Sequence, residues 1–238
     1  MNPTSGTEMA TFARLMTHIR IGVADTLSPS GRYSDSEAEQ EPEPHQEQPA
    51  DGLVLRTLLE KLDDTEFKGP VRGVRHQAAD RWLAEAVTLA PPQQAEFAQA
   101  FAACAPILHW NTSYPDLSPT PELDRYWANY CYAMVIGPDE IGRRAGPCPF
   151  RSQEMALFLV VQGADVVYGR HHHPAVEVYG IVSGTGSWLR GDEGYRQRPP
   201  GQVFVHHPNV VHATTTEAEP TISWVAWLSD LQTVPVMI

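Results

Sequence analysis

A chain of 238 residues with 42% hydrophobic content is long enough for one ordinary domain plus additions, and can bury a real core. Its formal net charge of −12, from 17 Lys and Arg against 29 Asp and Glu, argues against nucleic acid or an anionic membrane surface as partner. Three cysteines (Cys104, Cys131, Cys148) form no Cys-x2-Cys pair and leave an odd thiol under any disulfide scheme, which suits a reducing compartment. Neither a basic-then-apolar leader nor an apolar run of about 18 residues is visible, so a soluble cytoplasmic protein is expected.

Residues 1–27 read as a short helix, with Phe12, Leu15, Met16 and Ile19 on one face at i, i+3, i+4, i+7 spacing. Residues 28–51 are Ser, Glu, Gln and Pro with almost nothing to bury, and seven of the acids fall within 35–51. Such a segment cannot offset its ordering entropy and is expected to be a disordered linker. A helical layer over 52–106 follows. Leu53, Leu55, Leu58, Leu59 and Leu62 suggest one helix, Trp82 to Leu89 a second, and Ala95 to Ala103 a third opened by Pro91-Pro92.

From 107 to 238 the pattern becomes β-rich. The segment His109 to Leu117 reads as extended and lying across the core. Strands are expected at Tyr130–Ile136, Met155–Gln162, Val166–Tyr168, Glu177–Val182, Gly186–Arg190, Gln202–His206 and Ile222–Leu228, nearly all separated by Gly or Pro. Short strands at this spacing predict a mainly β sandwich or barrel.

The chemistry concentrates in Tyr168-Gly-Arg-His171-His172-His173-Pro-Ala-Val-Glu177-Val-Tyr179. Imidazole and carboxylate are ligands that a borderline divalent metal accepts. Strand residues alternate faces, so His171 and His173 point one way, as do Glu177 and Tyr179, and Pro174-Ala175 can bend the two pairs onto one centre. His212 follows at the end of a second strand-like run, after Pro200-Gly201 and Pro208. His173, Glu177 and His212 are the firmest candidate metal ligands. His171 is either a fourth ligand or a donor that supports the others. His172, His206 and His207 read as structural, since a strand histidine is more often a satisfied core or surface residue than a ligand, and of the adjacent pair 206/207 one must face outward. Tyr179, on the face of Glu177, is placed to act as a base, because a nearby divalent cation favours phenolate.

The spacing His-x-His-x3-Glu-x6-Gly (His171, His173, Glu177, Gly184), then Pro-Gly-x6-Pro-x3-His (Pro200, Gly201, Pro208, His212), resembles the two motifs of the cupin superfamily over about residues 155–230. That implies a jelly-roll barrel with ligands facing its interior. Thr216 stands where the second motif often has Asn. A narrower resemblance is to bacterial cupin-type dimethylsulfoniopropionate (DMSP) lyases. It rests on Tyr-x2-His-x-His-Pro-Ala-x-Glu-x-Tyr, on Trp227 fifteen residues past His212, and on the upstream Tyr114-Pro-Asp-Leu and Tyr126-Trp-Ala-Asn-Tyr130-Cys-Tyr132-Ala, and so covers about 105–230. The segment 28–51 and the helix before it have no match in that family's core, Gly180 stands where a buried strand usually has a bulkier apolar residue, and the insert Gly142 to Pro149 could reshape the entrance.

The resemblance implies cleavage of a small zwitterionic carboxylate to dimethyl sulfide and acrylate. It implies one divalent ion (Zn, Fe, Mn or Ni) held by His173, Glu177 and His212, with His171 or Tyr179 completing the shell. Tyr179 is then the base, with Tyr168 assisting or substituting. A sulfonium favours an aromatic wall, for which Trp227, Tyr168, Tyr130 and Trp110 are candidates. Two other readings stay open: a different metal-dependent cupin enzyme such as a small-molecule dioxygenase, and a non-catalytic cupin that binds a small ligand. The Leu-rich helices could support a homodimer.

Overall fold

The computed structural model describes residues 3–28, 50–114, 116–138 and 146–238. The expected linker at 28–51 lies outside the described residues except at its two ends, as does the first half of the insert at 142–149. At the far end of that segment Asp51 already belongs to a helix.

Four helices lie ahead of the main run of strands: α1 (Pro3–Leu27), α2 (Asp51–Asp63), α3 (Gln77–Thr88) and α4 (Ala95–Cys104). The apolar stripe of α1 is buried at Phe12, Leu15, Met16, Ile19 and Val23. On α2 the buried face is Val54, Leu55, Leu58 and Leu62, while the expected Leu53 faces solvent. No helix among the described residues is long and apolar enough to cross a membrane. A fifth helix, α5 (Pro121–Asn129), was not expected. Thr120 Oγ1 accepts the Leu123 N–H at 3.2 Å, Pro121 takes the first turn, and Glu122 and Asp124 favour its positive end.

Thirteen strands among the described residues form two sheets. In chain order they are β1 (Glu66–Phe67), β2 (Trp110–Asn111), β3 (Tyr130–Gly137), β4 (Phe150–Arg151), β5 (Ala156–Gln162), β6 (Val167–His172), β7 (Glu177–Ser183), β8 (Gly186–Arg190), β9 (Tyr195–Arg198), β10 (Val203–His206), β11 (His212–Thr216), β12 (Thr221–Trp227) and β13 (Val236–Met237). The larger sheet runs β1-β4-β3-β5-β12-β7-β10, with β2 added to β3; the smaller runs β13-β6-β11-β8-β9. The helices cover the outer face of the larger sheet, where Leu55, Phe101, Leu157, Val178 and Trp224 share one apolar cluster. Its inner face meets the smaller sheet around Tyr130, Tyr168, Tyr179, Trp188 and Phe204.

Two features that break the expected pattern have packing reasons. A Cβ at Gly180 would lie 2.1 Å from Cε2 of Trp224, so the indole can cross β7 only because that position has no side chain. Thr216 donates to the Gly163 carbonyl at 2.6 Å and accepts the Val166 N–H at 3.1 Å, tying β11 to the turn before β6. The expectation that His212 ends a strand is corrected: it opens β11, directly opposite His171.

Candidate metal centre and active site

Strand geometry brings the four expected ligands together. His171 is on β6, His173 lies just past its end, and Glu177 opens β7 after the Pro174-Ala175 bend. His171, His173 and His212 are each about 2% exposed or less, and their ligand atoms lie within 4.8 Å of one another. Each ring is set by a backbone carbonyl: Nδ1 of His171 donates to Gly169 O at 2.8 Å, that of His173 to Ala175 O at 3.2 Å, that of His212 to Val210 O at 2.8 Å. Donation through Nδ1 leaves the lone pair on Nε2 in all three rings.

These groups fit a divalent ion. Nε2 of His173, Nε2 of His212 and Oε2 of Glu177 are buried and have no hydrogen-bond partner. His212 Nε2 lies 3.3 Å from Glu177 Oε2, and His173 Nε2 lies 3.6 Å from Glu177 Oε1. Bonds of about 2.0–2.1 Å in a tetrahedral shell require ligand separations near 3.3 Å, so little movement is needed. The 3.3 Å contact attracts by charge without the alignment of a good hydrogen bond. Burial works against ionisation of Glu177, but His212 and His173 outweigh it and hold the carboxyl well below its usual range. Burial likewise opposes charge on His212, and Glu177 reverses that. His171 is pushed down to about 3, first by burial and then by His212.

A tyrosine cluster adjoins this centre. The Tyr168 ring stacks on His171 at 4.1 Å and 15°, and its hydroxyl is 2.6 Å from the Tyr114 hydroxyl. Tyr126 stacks on Tyr130 at 4.7 Å, and each lies 5.2 Å from Tyr168. Tyr179 stacks on Phe204 at 5.7 Å and 9°. Burial raises Tyr168 and Tyr179 well above the usual phenol value; Tyr114 adds most to the first, Tyr130 and then Glu177 to the second. Tyr114 holds its place with φ of 55°, a conformation that few bulky residues adopt.

Trp227 is at the site in a form the sequence did not suggest. Its indole N–H donates to Glu177 Oε1 at 2.8 Å, and its ring lies 4.5 Å from that of His173. Trp110 is not brought to the site. Its register opposite Ala133 turns it to the helix side, where it packs near Phe101 and donates to Ala105 O at 2.9 Å. His172 is half-buried on the opposite face from His171. His206 and His207 do point apart, yet both are buried, because helices cover the outer face of that sheet. His207 Nε2 meets Asp51 of α2 at 2.7 Å, whereas His206 enters the barrel. His206, Tyr114 and Tyr126 are the site neighbours that sequence reasoning did not select; alternation along β10 was the available signal for His206.

Two sheets closed around three imidazoles and a carboxylate, carried on motifs of this spacing, define a cupin with a candidate metal centre. A family model for dimethylsulfoniopropionate lyase matches residues 54–223, and the chain belongs to that family. It is 30% identical over 138 residues to the dimethylsulfoniopropionate lyase DddQ of Ruegeria pomeroyi, a match spanning 58% of this chain and 63% of that protein, under two thirds of its length. The crystal structure of DMSP lyase DddQ from the same organism has a TM-score of 0.68 at 22% identity, covering 100% of this chain and 97% of that one. A chain from crystal structures of the DMSP lyases RdDddP and RnDddQII gives 0.66 at 19% identity, covering 97% and 99%. At these identities the two structures speak for the fold. All three cysteines are buried, and none is in a disulfide.

Proposed function

We propose that this protein is a metal-dependent lyase that cleaves DMSP to dimethyl sulfide and acrylate by β-elimination. The observation that carries the reading is the meeting of two buried groups: unpartnered Nε2 and carboxylate atoms at His173, Glu177 and His212, and phenols packed directly beside them. Membership of the DMSP lyase family supports the substrate.

His171, His173, Glu177 and His212 would hold the ion. When bound, it supplies positive charge that polarises the substrate carboxylate and favours the phenolate form of a neighbouring tyrosine. Tyr179 takes the proton from the carbon next to the carboxylate, with Tyr168 assisting. The electron pair of that C–H bond becomes the new C=C bond of acrylate, and the C–S pair leaves on neutral dimethyl sulfide. That leaving group needs no general acid, so one base suffices. Tyr126, Tyr130 and Tyr168 present ring faces suited to a sulfonium, a contact of about 0.5–2 kcal/mol depending on desolvation. Trp227 orients Glu177 through its N–H.

The test is headspace gas chromatography of the purified protein with DMSP and added divalent metal, against a chelated control. Dimethyl sulfide and acrylate in equal amount, lost on chelation, is the expected result. Silence with zinc, iron, manganese and nickel overturns it.

A further inference from the structure

His206 is 1% exposed inside the barrel, and neither of its ring nitrogens has a hydrogen-bond partner. A neutral imidazole carries one N–H and one lone pair, and each costs stability if left unmet in a dry interior. The other buried rings of the centre avoid half of that cost by giving Nδ1 to a carbonyl. His206 has no such anchor.

Its surroundings indicate what meets it. Strand pairing sets His206 on β10 directly opposite Glu177, on the flank away from Trp227. Its ring is 4.4 Å from that of His212, at 77°. The ligand atoms of Glu177, His206 and His212 lie within 4.8 Å of one another, as do those of His171, His173 and His212. Two groups of three therefore share His212. One takes its other members from β6 and its end, the other from β7 and β10.

We infer that His206 is a further protein ligand of the metal centre, so that the ion is held through Glu177, His206 and His212 as well as through His171, His173 and His212. The inference rests on the metal-dependent reading above. It makes the donor set four imidazoles and one carboxylate, a nitrogen-rich set that suits zinc, nickel or iron better than manganese. It also places a ligand beside each candidate tyrosine: the His206 ring is 5.7 Å from that of Tyr179, and His171 is stacked on Tyr168.

The experiment is zinc titration calorimetry on the chelator-stripped full-length chain, with imidazole counting by X-ray absorption of the zinc-loaded form. It compares wild type, His206→Ala and His206→Phe, the last keeping a ring in the space that Ala would empty. Zinc affinity is expected to fall at least 10–100-fold, the loss typical even for groups that only support a ligand, with one imidazole fewer in the shell. The metal-free His206→Phe protein should melt no lower than wild type, because an unpartnered polar ring is replaced by an apolar one. Unchanged affinity and an unchanged imidazole count in a folded variant overturn the inference. Dimethyl sulfide plays no part in these readouts. A wild type that binds zinc through His206 but releases none fails the lyase reading alone, and one that binds no zinc, nickel or iron overturns both.

Discussion

The two faces of the larger sheet are built from the same strands and meet opposite demands. Outward, Leu157, Leu159, Val178, Val182 and Ile222 pack in the apolar cluster shared with the helices. Inward, the neighbours of those residues in the chain include Glu177, Tyr179 and Ser223, which are also buried but polar. Apolar burial stabilises the first face at roughly 25 cal/mol per Å2. The second forgoes part of that gain, because polar groups taken from water are tolerated only when partnered. Unmet atoms at His173, Glu177, His206 and His212 lie on the inner side, against Nδ1 of His207 on the outer. The outer face is where the domain gains stability, and the inner face is where it carries chemistry.

Substitutions can break that division. The largest effect is expected for His212→Ala, which removes the ligand shared by both groups of three: metal content and dimethyl sulfide release should vanish together, a loss of roughly 10,000-fold in rate. Full metal occupancy in that variant would remove His212 from the ligand set. Next comes Tyr179→Phe, which should keep its metal and lose about 100- to 10,000-fold in kcat. A near-normal rate there, with a collapse in Tyr168→Phe, would exchange the roles of the two phenols. Trp227→Phe keeps a ring over His173 but loses the N–H to Glu177, so metal affinity should drop by about 10–100-fold while folding is retained.

Acid sharpens the contrast for the metal-free protein. The unfolded chain protonates His171 near 6.5 and the folded chain only near 3, so stability is lost as pH falls below 6.5. His206 acts in the same direction. His212 is raised by Glu177 and acts oppositely, its contribution fading as pH rises. From pH 7.5 to 5 the His171 contribution alone is roughly 2 kcal/mol, so thermal melts of the chelated protein should fall; a Tm that climbs instead would make the His212–Glu177 pair dominant. The smallest effect is on the outer face: Trp110→Phe should cost about 1 kcal/mol of stability from its bond to Ala105 and leave KM for DMSP unchanged. A clear rise in KM would return Trp110 to the substrate wall.

Much of this was legible along the chain. The stripe on α1, the place of α4 just after a proline pair, and the seven main strands follow from periodicity and punctuation, although the prolines themselves open a 3-10 turn (Pro92–Gln94) that leads into α4. What escaped depended on weak or local signals. The α5 helix is nine residues long with a polar surface, so only its Thr-Pro-Glu start betrays it. Strand β9 is Tyr-Arg-Gln-Arg, almost wholly exposed, and shows no apolar alternation to read.

The sequence alone determined the two-motif barrel and the candidate ligand group His171, His173, Glu177 and His212, because ligand chemistry and strand alternation are local properties of the chain. Tertiary structure decided the rest through register and through what covers each face. A pairing opposite Ala133 turned Trp110 to the helices, and a pairing opposite Glu177 carried His206 into the barrel. Strands distant in sequence brought the Trp227 N–H onto the Glu177 carboxylate, and Trp224 found room only over Gly180. A one-residue change of register reverses every side chain, and that register is set by partners remote along the chain.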